Sequence, residues 1–408
     1  MDRHDVVVIG GGVSGLAFAY HAARAGRRVL VLEREARLGG CLHTHRAPSG
    51  YWFELGAHTC YNSYVALAEI IEACGMKEKV LRREPTRLRF LAGDHLVKGS
   101  NLSALLHLFS LRELARSLPR LFTEKKEGKT VYAYYSRLVG RRNYGAVLGP
   151  MLSAVPSQSA DAFPAGMLFK ARRSRRKSYP RSFTLEGGLT SLVEALTLRP
   201  GVEVAPLREA TSVERANGGF RVACGGAWHE AEVVAVATPP GTATRLLRGV
   251  APELAALLAR VRETAVESLG FAVEAEAVRW PVSMFLVPRE DVFYSVVTRD
   301  AVRDPAFRGF TFHFKPGLSR EAKLGRAGRL LGVEPSRFLE VTERTSVLPS
   351  PVLGHEGLVQ EVDRLLAGAQ LCLTGNWFSG LAIEDCVQRS ASEWARVATL
   401  QAGGVVRA

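Results

Sequence analysis

Paired cysteines are missing from this chain. The six cysteines, Cys41, Cys60, Cys74, Cys224, Cys372 and Cys386, form no CxxC or CxxxC spacing. A thiolate zinc site or dithiol redox centre is therefore not expected, and no metal is assigned. Long apolar runs are missing too: no stretch of eighteen apolar residues occurs, which argues against a spanning helix. The opening MDRHDVVVIGGG runs straight into a strand pattern, so no cleavable secretory segment is expected. Reduced thiols in a cytosolic compartment are the matching expectation. Acidic charge is scarce, with 40 Asp and Glu against 54 Lys and Arg and a formal net charge of +14. That surplus favours anionic company such as carboxylated substrates, phosphates or an acidic membrane surface. An arginine-rich proteome would produce the same bias without a partner. Nucleic acid is not expected, because no aromatic interleaving or recognised binding module accompanies the basic residues. What remains is a globular composition, 47% hydrophobic over 408 residues, long enough for two or three domains sharing large cores.

Residues 5–9, DVVVI, are a short run rich in β-branched valine, and GGGVSG follows at once. This predicts a buried parallel strand ending in a glycine turn. Gly10, Gly12 and Gly15 supply the G-x-G-x-x-G spacing, helix formers extend from Ser14 to Ala25, and Gly26 is placed as a C-cap. A second strand, RRVLVLE, ends at Glu33, eighteen residues after Gly15. In such a unit the first glycine makes the tight turn and the second lets a diphosphate approach the backbone. The third lets helix and strand pack closely. The helix start, at Val13 and Ser14, offers N–H groups to the phosphates, and Glu33 accepts from a ribose hydroxyl. The glycines alone are a weak signal; strand, turn, helix, strand and acid in that order predict dinucleotide binding.

The next stretch, REARLGGCLHTHR, carries a basic and double-glycine element (Arg34, Arg37, Gly39, Gly40) that a nicotinamide cofactor would not need. From here onward the chain resembles FAD proteins of the amine oxidase and protoporphyrinogen oxidase superfamily. The resemblance implies FAD bound non-covalently, with the arginine and the glycine backbone completing the diphosphate cradle. FELGAHTCYN, residues 53–62, looks like that family's Glu-x-Gly element, which implies that Gly56, Ala57 and His58 lie beside the flavin. His43 and His45 read as ordinary loop histidines; His58 is the one expected to face the ring.

Residues 64–75 predict an amphipathic helix stopped by glycine, and 86–99 alternate as strands around a Gly93-Asp94 turn. From 102 to 183 the β-branched runs disappear and successive helices are expected, ending in KARRSRRKSYPR. That basic run is either a solvated loop or a patch for carboxylates or anionic lipid heads. SFTLEGGLTSLVEALTLRPGVEV resembles the family's return element, and the resemblance implies that the backbone at Val213 lies against adenine. Period-2 strands fill 255–345, where FLVPRE resembles a stretch of protoporphyrinogen oxidases. Near the end, GNWFSGLAIEDC, residues 375–386, resembles that family's last signature. It implies that Gly375, Asn376, Gly380, Ala382 and Ile383 meet the flavin, with the last helix pointing its N-terminus at the pyrimidine. Glu384 and Asp385 read as first-turn caps or as ribityl or substrate contacts.

The expected fold class is thus α/β. A Rossmann-type FAD-binding domain takes 1–85, 184–254 and 346–408, and a mixed-sheet substrate domain takes 86–100 and 255–345. A helical insertion over 101–183 is expected to cover the substrate or face a membrane. The expected function is an FAD-dependent oxidase of an anionic small molecule, with a porphyrinogen leading and dioxygen as acceptor. The expected place is the cytosol or the inner face of a membrane. Chemistry belongs mainly to the cofactor; His58 and Lys315 are the side-chain candidates, Lys315 for amine oxidation. Another biosynthetic oxidation or desaturation, and a flavin-binding partner protein without turnover, stay open.

Overall fold

The computed structural model describes residues 3–97, 109–168 and 170–405. Alternate residues of the first strand, Arg3–Ile9, enter two different cores. Val6 and Val8 pack with the helix Val13–Arg24, whereas Val7 and Ile9 face the helices Pro240–Leu247 and Pro252–Leu258. Burial on both faces explains why this strand is a continuous apolar run. Its sheet has seven strands, ordered Val202–Ala205, Val29–Leu32, Arg3–Ile9, Ala227–Val236, Gly219–Cys224 and Ala210–Ala216. The seventh, Leu371–Leu373, pairs parallel with the end of Ala227–Val236 through Val234, Ala235 and Val236. The last helix, Ile383–Val405, then lies on Val13–Arg24, with Phe18 meeting Trp394 edge-on at 5.8 Å.

A second seven-stranded sheet is ordered Leu339–Pro349, Glu263–Glu274, Phe307–Phe314, Phe293–Thr298, Ser283–Pro288, Arg87–Ala92 and His95–Leu96. Its core is aromatic, with Phe271, Phe310, Phe312 and Phe314 almost fully buried. The strand Leu339–Pro349 continues beyond the expected boundary at 345 because it pairs with Glu263–Glu274 along its whole length.

The helical segment is shorter than its sequence suggested. Helices run from Leu111–Ser117 to Gly149–Ala154, with a π-helical turn at Tyr144–Leu148; the expected helix start at 102–108 lies outside the described residues. Beyond Ala154 the chain is irregular until the strand Ser182–Leu185. Pro156, Pro164, Pro180 and the basic run leave no apolar stripe for a helix to bury. Among the described residues no helix is long and apolar enough to cross a membrane.

Candidate active site

The glycine turn adopts the geometry its spacing calls for. Gly10 has a φ of +106°, closed to most side chains, and donates its N–H to Leu32 O at 2.8 Å. A Cβ on Gly15 would stand 2.0 Å from Gly10 O, so helix and strand meet there only because the side chain is absent. Gly12 precedes the first helix, whose start carries no side-chain cap; its free N–H groups and dipole suit an anion. A cavity of about 370 Å³ opens at this point, lined by Gly10, Gly12, Glu33, Arg34, Arg37, Gly40 and Cys41.

Glu33 sits at the end of its strand and accepts from Gly11 N at 2.7 Å and Glu35 N at 2.9 Å. It thereby fixes the loop that it borders. Arg37 turns back on its own loop, donating to Leu38 O at 2.6 Å, Leu42 O at 2.9 Å and Gly40 O at 2.8 Å. Burial, followed by the positive Arg344 nearby, pushes the Arg37 guanidinium down to about 10. Arg344 comes from the other sheet, reaches Glu35 Oε2 at 3.3 Å, and keeps a buried Nε with no acceptor.

The double-glycine loop is sewn to its neighbours by main-chain bonds. Gly39 N donates to Gly11 O at 2.8 Å, Leu55 N to His43 O at 2.8 Å, and Ala57 N to Cys41 O at 3.0 Å. Glu54 of the Glu-x-Gly element is buried and accepts from Leu189 N at 2.7 Å and Thr44 Oγ1 at 2.8 Å. It joins the hairpin Thr44–Arg46/Trp52–Glu54 to the Gly187-Gly188 return turn. Burial lifts its carboxyl to about 7. His58 is half-buried, and burial, then Arg83 and His313, pushes it down to about 3. It is a neutral imidazole near pH 7, a hydrogen-bonding group rather than a cation.

The chain end closes the far side. Thr374 N donates to Val236 O at 3.1 Å, and Ser390 Oγ lies 2.8 Å from both Thr374 Oγ1 and Ser14 O. Glu384 reaches away from its own helix and accepts from Ala66 N and Leu67 N, both at 3.0 Å, capping Val65–Ala73. Asp385 pairs with Arg172 at 2.6 Å, and that guanidinium lies over the Tyr64 ring at 5.2 Å. A cavity of about 510 Å³ surrounds this pair, with Phe163, Met167, Leu168 and Leu381 as apolar walls and Lys170, Arg172 and Arg175 as cations.

A family profile described as "Flavin containing amine oxidoreductase" matches residues 13–277. The chain belongs to that family. Protoporphyrinogen oxidase of Bos taurus is 27% identical over 96% of this chain and 98% of its own length, and the Homo sapiens enzyme is 26% identical over 94% and 96%. Among solved structures, one from Exiguobacterium sp. 255-15, provisionally named a protoporphyrinogen oxidase, superposes with a TM-score of 0.78. It is 20% identical and covers 97% of this chain and 99% of that one. Putrescine oxidase bound to putrescine gives 0.69 at 15% identity, covering 98% and 99%.

As a flavin-containing amine oxidoreductase, the chain must offer a flavin both a phosphate cradle and a ring pocket. The cradle fits: an uncapped helix start and several arginines, among them Arg37 and Arg344, line the 370 Å³ cavity, and Arg344 keeps a buried Nε–H without an acceptor. A bound flavin supplies a two-electron acceptor; the protein's own groups bind and orient it. Of the expected residues, Gly10, Gly12, Glu33, Arg34, Arg37 and Gly40 line that cavity. Val13, Ser14, Gly15 and Gly39 support it, and Gly56, Ala57 and His58 form the adjoining loop. Asn376, Gly380 and Ala382 line the 510 Å³ cavity, whereas Gly375 does not and the Ile383 side chain is buried in the core.

Three expectations need correction. Val213 is buried in the sheet, paired with Val222, and does not line the cavity; Arg208, Glu209 and Ala210 at the strand's start do. Lys315 is exposed past the end of Phe307–Phe314, its Nζ over the Tyr294 ring at 5.6 Å, and it lines neither large cavity. Glu384 caps a different helix from its own. Ala237 to Pro239 and Arg344 to Val347 also line the first cavity and were missed. TPP, directly after a buried strand, was a usable turn signal; Arg344, in an exposed-looking strand, gave none. Among the described residues no cluster suits a metal ion.

Proposed function

We propose that this flavin-dependent oxidoreductase holds FAD non-covalently and oxidises a carboxylated, largely apolar substrate, a porphyrinogen, with dioxygen as the final acceptor. One observation carries the reading: its alignment with the protoporphyrinogen oxidases runs over nearly the full length of both chains. A chain sharing only the dinucleotide unit would align locally, as it does with human all-trans-retinol 13,14-reductase, over 14% of this chain.

The 510 Å³ cavity supports the same substrate class. Apolar walls suit a macrocycle, and Lys170 and Arg175, which pair with no carboxylate among the described residues, suit acid side chains. Arg172 is held by Asp385 and presents its remaining N–H groups from a fixed position. The porphyrinogen loses hydrogen pairs, and dioxygen is reduced to hydrogen peroxide, one molecule per pair. No acid/base dyad is required of the side chains.

The test is incubation of the yellow holoprotein in air with protoporphyrinogen and, separately, coproporphyrinogen, following porphyrin fluorescence. A rise above the autoxidation blank with at least one of them is expected. No rise with either overturns the substrate assignment.

A further inference from the structure

A small closed cavity lies behind the 56–58 loop and shares no lining residue with either large cavity. Its volume is about 10 Å³, room for a single water-sized sphere. Two guanidiniums reach its wall. Arg83 is 7% exposed and donates Nη1 to His58 O at 3.0 Å, while its Nε and Nη2 are buried and meet no acceptor. Arg299 stacks over Tyr51 and Trp52 at 4.6 and 4.5 Å and donates Nη1 to Val302 O at 2.6 Å. Its Nε is also buried with no acceptor.

Neither cation has a carboxylate partner among the described residues. Asp300, next to Arg299, is held by Arg308 at 3.0 Å. Glu54 stands in the cavity wall, but both its oxygens are already engaged by Leu189 and Thr44. Its carboxyl, lifted to about 7 by burial, is a weak counter-charge near neutrality. One buried and one half-buried guanidinium, with three buried N–H groups unanswered between them, are disfavoured unless something of opposite charge answers them. A water molecule would accept from them but leave the charge in place.

We infer that this cavity binds one monatomic, monovalent anion of chloride size between Arg83 and Arg299. The space is too small for a carboxylate or phosphate group, so neither a substrate acid group nor a cofactor phosphate fills it. Because Arg83 also holds His58 O, the ion fixes the backbone of the 56–58 loop from behind.

Two measurements test this on the intact holoprotein. In crystals soaked in sodium bromide, an anomalous peak is expected within hydrogen-bond reach of Arg83 and Arg299. Thermal unfolding of the wild type is expected about 2 °C or more higher in sodium chloride than in sodium gluconate of equal ionic strength. Arg83→Met should abolish that difference. A water or no density in the bromide map, or equal unfolding temperatures of the wild type in the two salts, overturns the site. Both outcomes are read on the wild-type protein, so the test stands even if the variant fails to fold.

Discussion

Around the glycine turn, part of what faces the 370 Å³ cavity belongs to tight turns: Gly10 and Gly12, Gly40, and the turn 237–239. Around the 510 Å³ cavity, the polar groups are long side chains, Lys170, Arg172, Arg175 and Asp385, brought from segments two hundred residues apart. The first kind of site leaves no room for a Cβ at Gly10 or Gly15, where backbone oxygens stand within 2.7 Å and 2.0 Å of the added atom. The second is adjustable, since each side chain can be shortened without moving the backbone. Under the proposed function, the adjustable site would read the substrate and the backbone-built site would capture the cofactor.

The sharpest way to break this contrast is Gly15→Ala. The new Cβ would stand 2.0 Å from Gly10 O, so the turn itself must open. We expect a colourless protein with stability lowered by about 4 kcal/mol or more, checked by bound-flavin absorbance and urea unfolding. A yellow, stable variant would show that the glycine turn is not rigid.

Glu54 offers a pH test of the same rigid side. Its folded carboxyl lies at about 7 instead of 4.5, so the native state holds the proton more tightly than the unfolded chain. Its contribution is fully present below pH 4.5 and is lost as pH rises through 7. Relative to Glu54→Gln, the wild type should lose on the order of 3 kcal/mol across that window. Parallel stability profiles from pH 4 to 8 would refute it.

At the adjustable site, Arg172→Ala removes one charge-assisted partner worth about 1.5–3 kcal/mol. We expect KM for a carboxylated substrate to rise roughly 10- to 100-fold while the flavin spectrum stays unchanged. Loss of flavin in this variant would merge the two sites. Glu384→Ala leaves Ala66 N and Leu67 N without their cap and should cost about 1–2 kcal/mol, read by urea unfolding. The smallest effect is expected for Lys315→Ala, within about 0.5 kcal/mol and without change in turnover of amine or porphyrinogen; a large loss of amine oxidation would restore that lysine as a candidate.

The same contrast explains what the sequence made legible. Glycine spacing, a β-branched strand and a terminal acid are local, so Gly10, Gly12, Gly15 and Glu33 could be located by counting along the chain. Val213 was singled out by resemblance alone; the structure buries its side chain in the sheet, and it is Ala210, at the start of the same strand, that lines the cavity. Arg344 and Arg172 reach their cavities only through the packing of separate units, and nothing near them in the sequence marks that. The role of Arg37 was visible in type but not in direction: its guanidinium braces three carbonyls of its own loop.

Ser390 bridges to the carbonyl of Ser14 in the first helix, 376 residues earlier in the chain. During translation the glycine turn therefore emerges long before the segment that locks it, and at ordinary ribosome speeds that interval is on the order of tens of seconds. A nascent chain carries half a pocket throughout that time. A chain cut before position 383 lacks the helix that ties the glycine turn and is expected to purify without flavin, read by its visible absorbance.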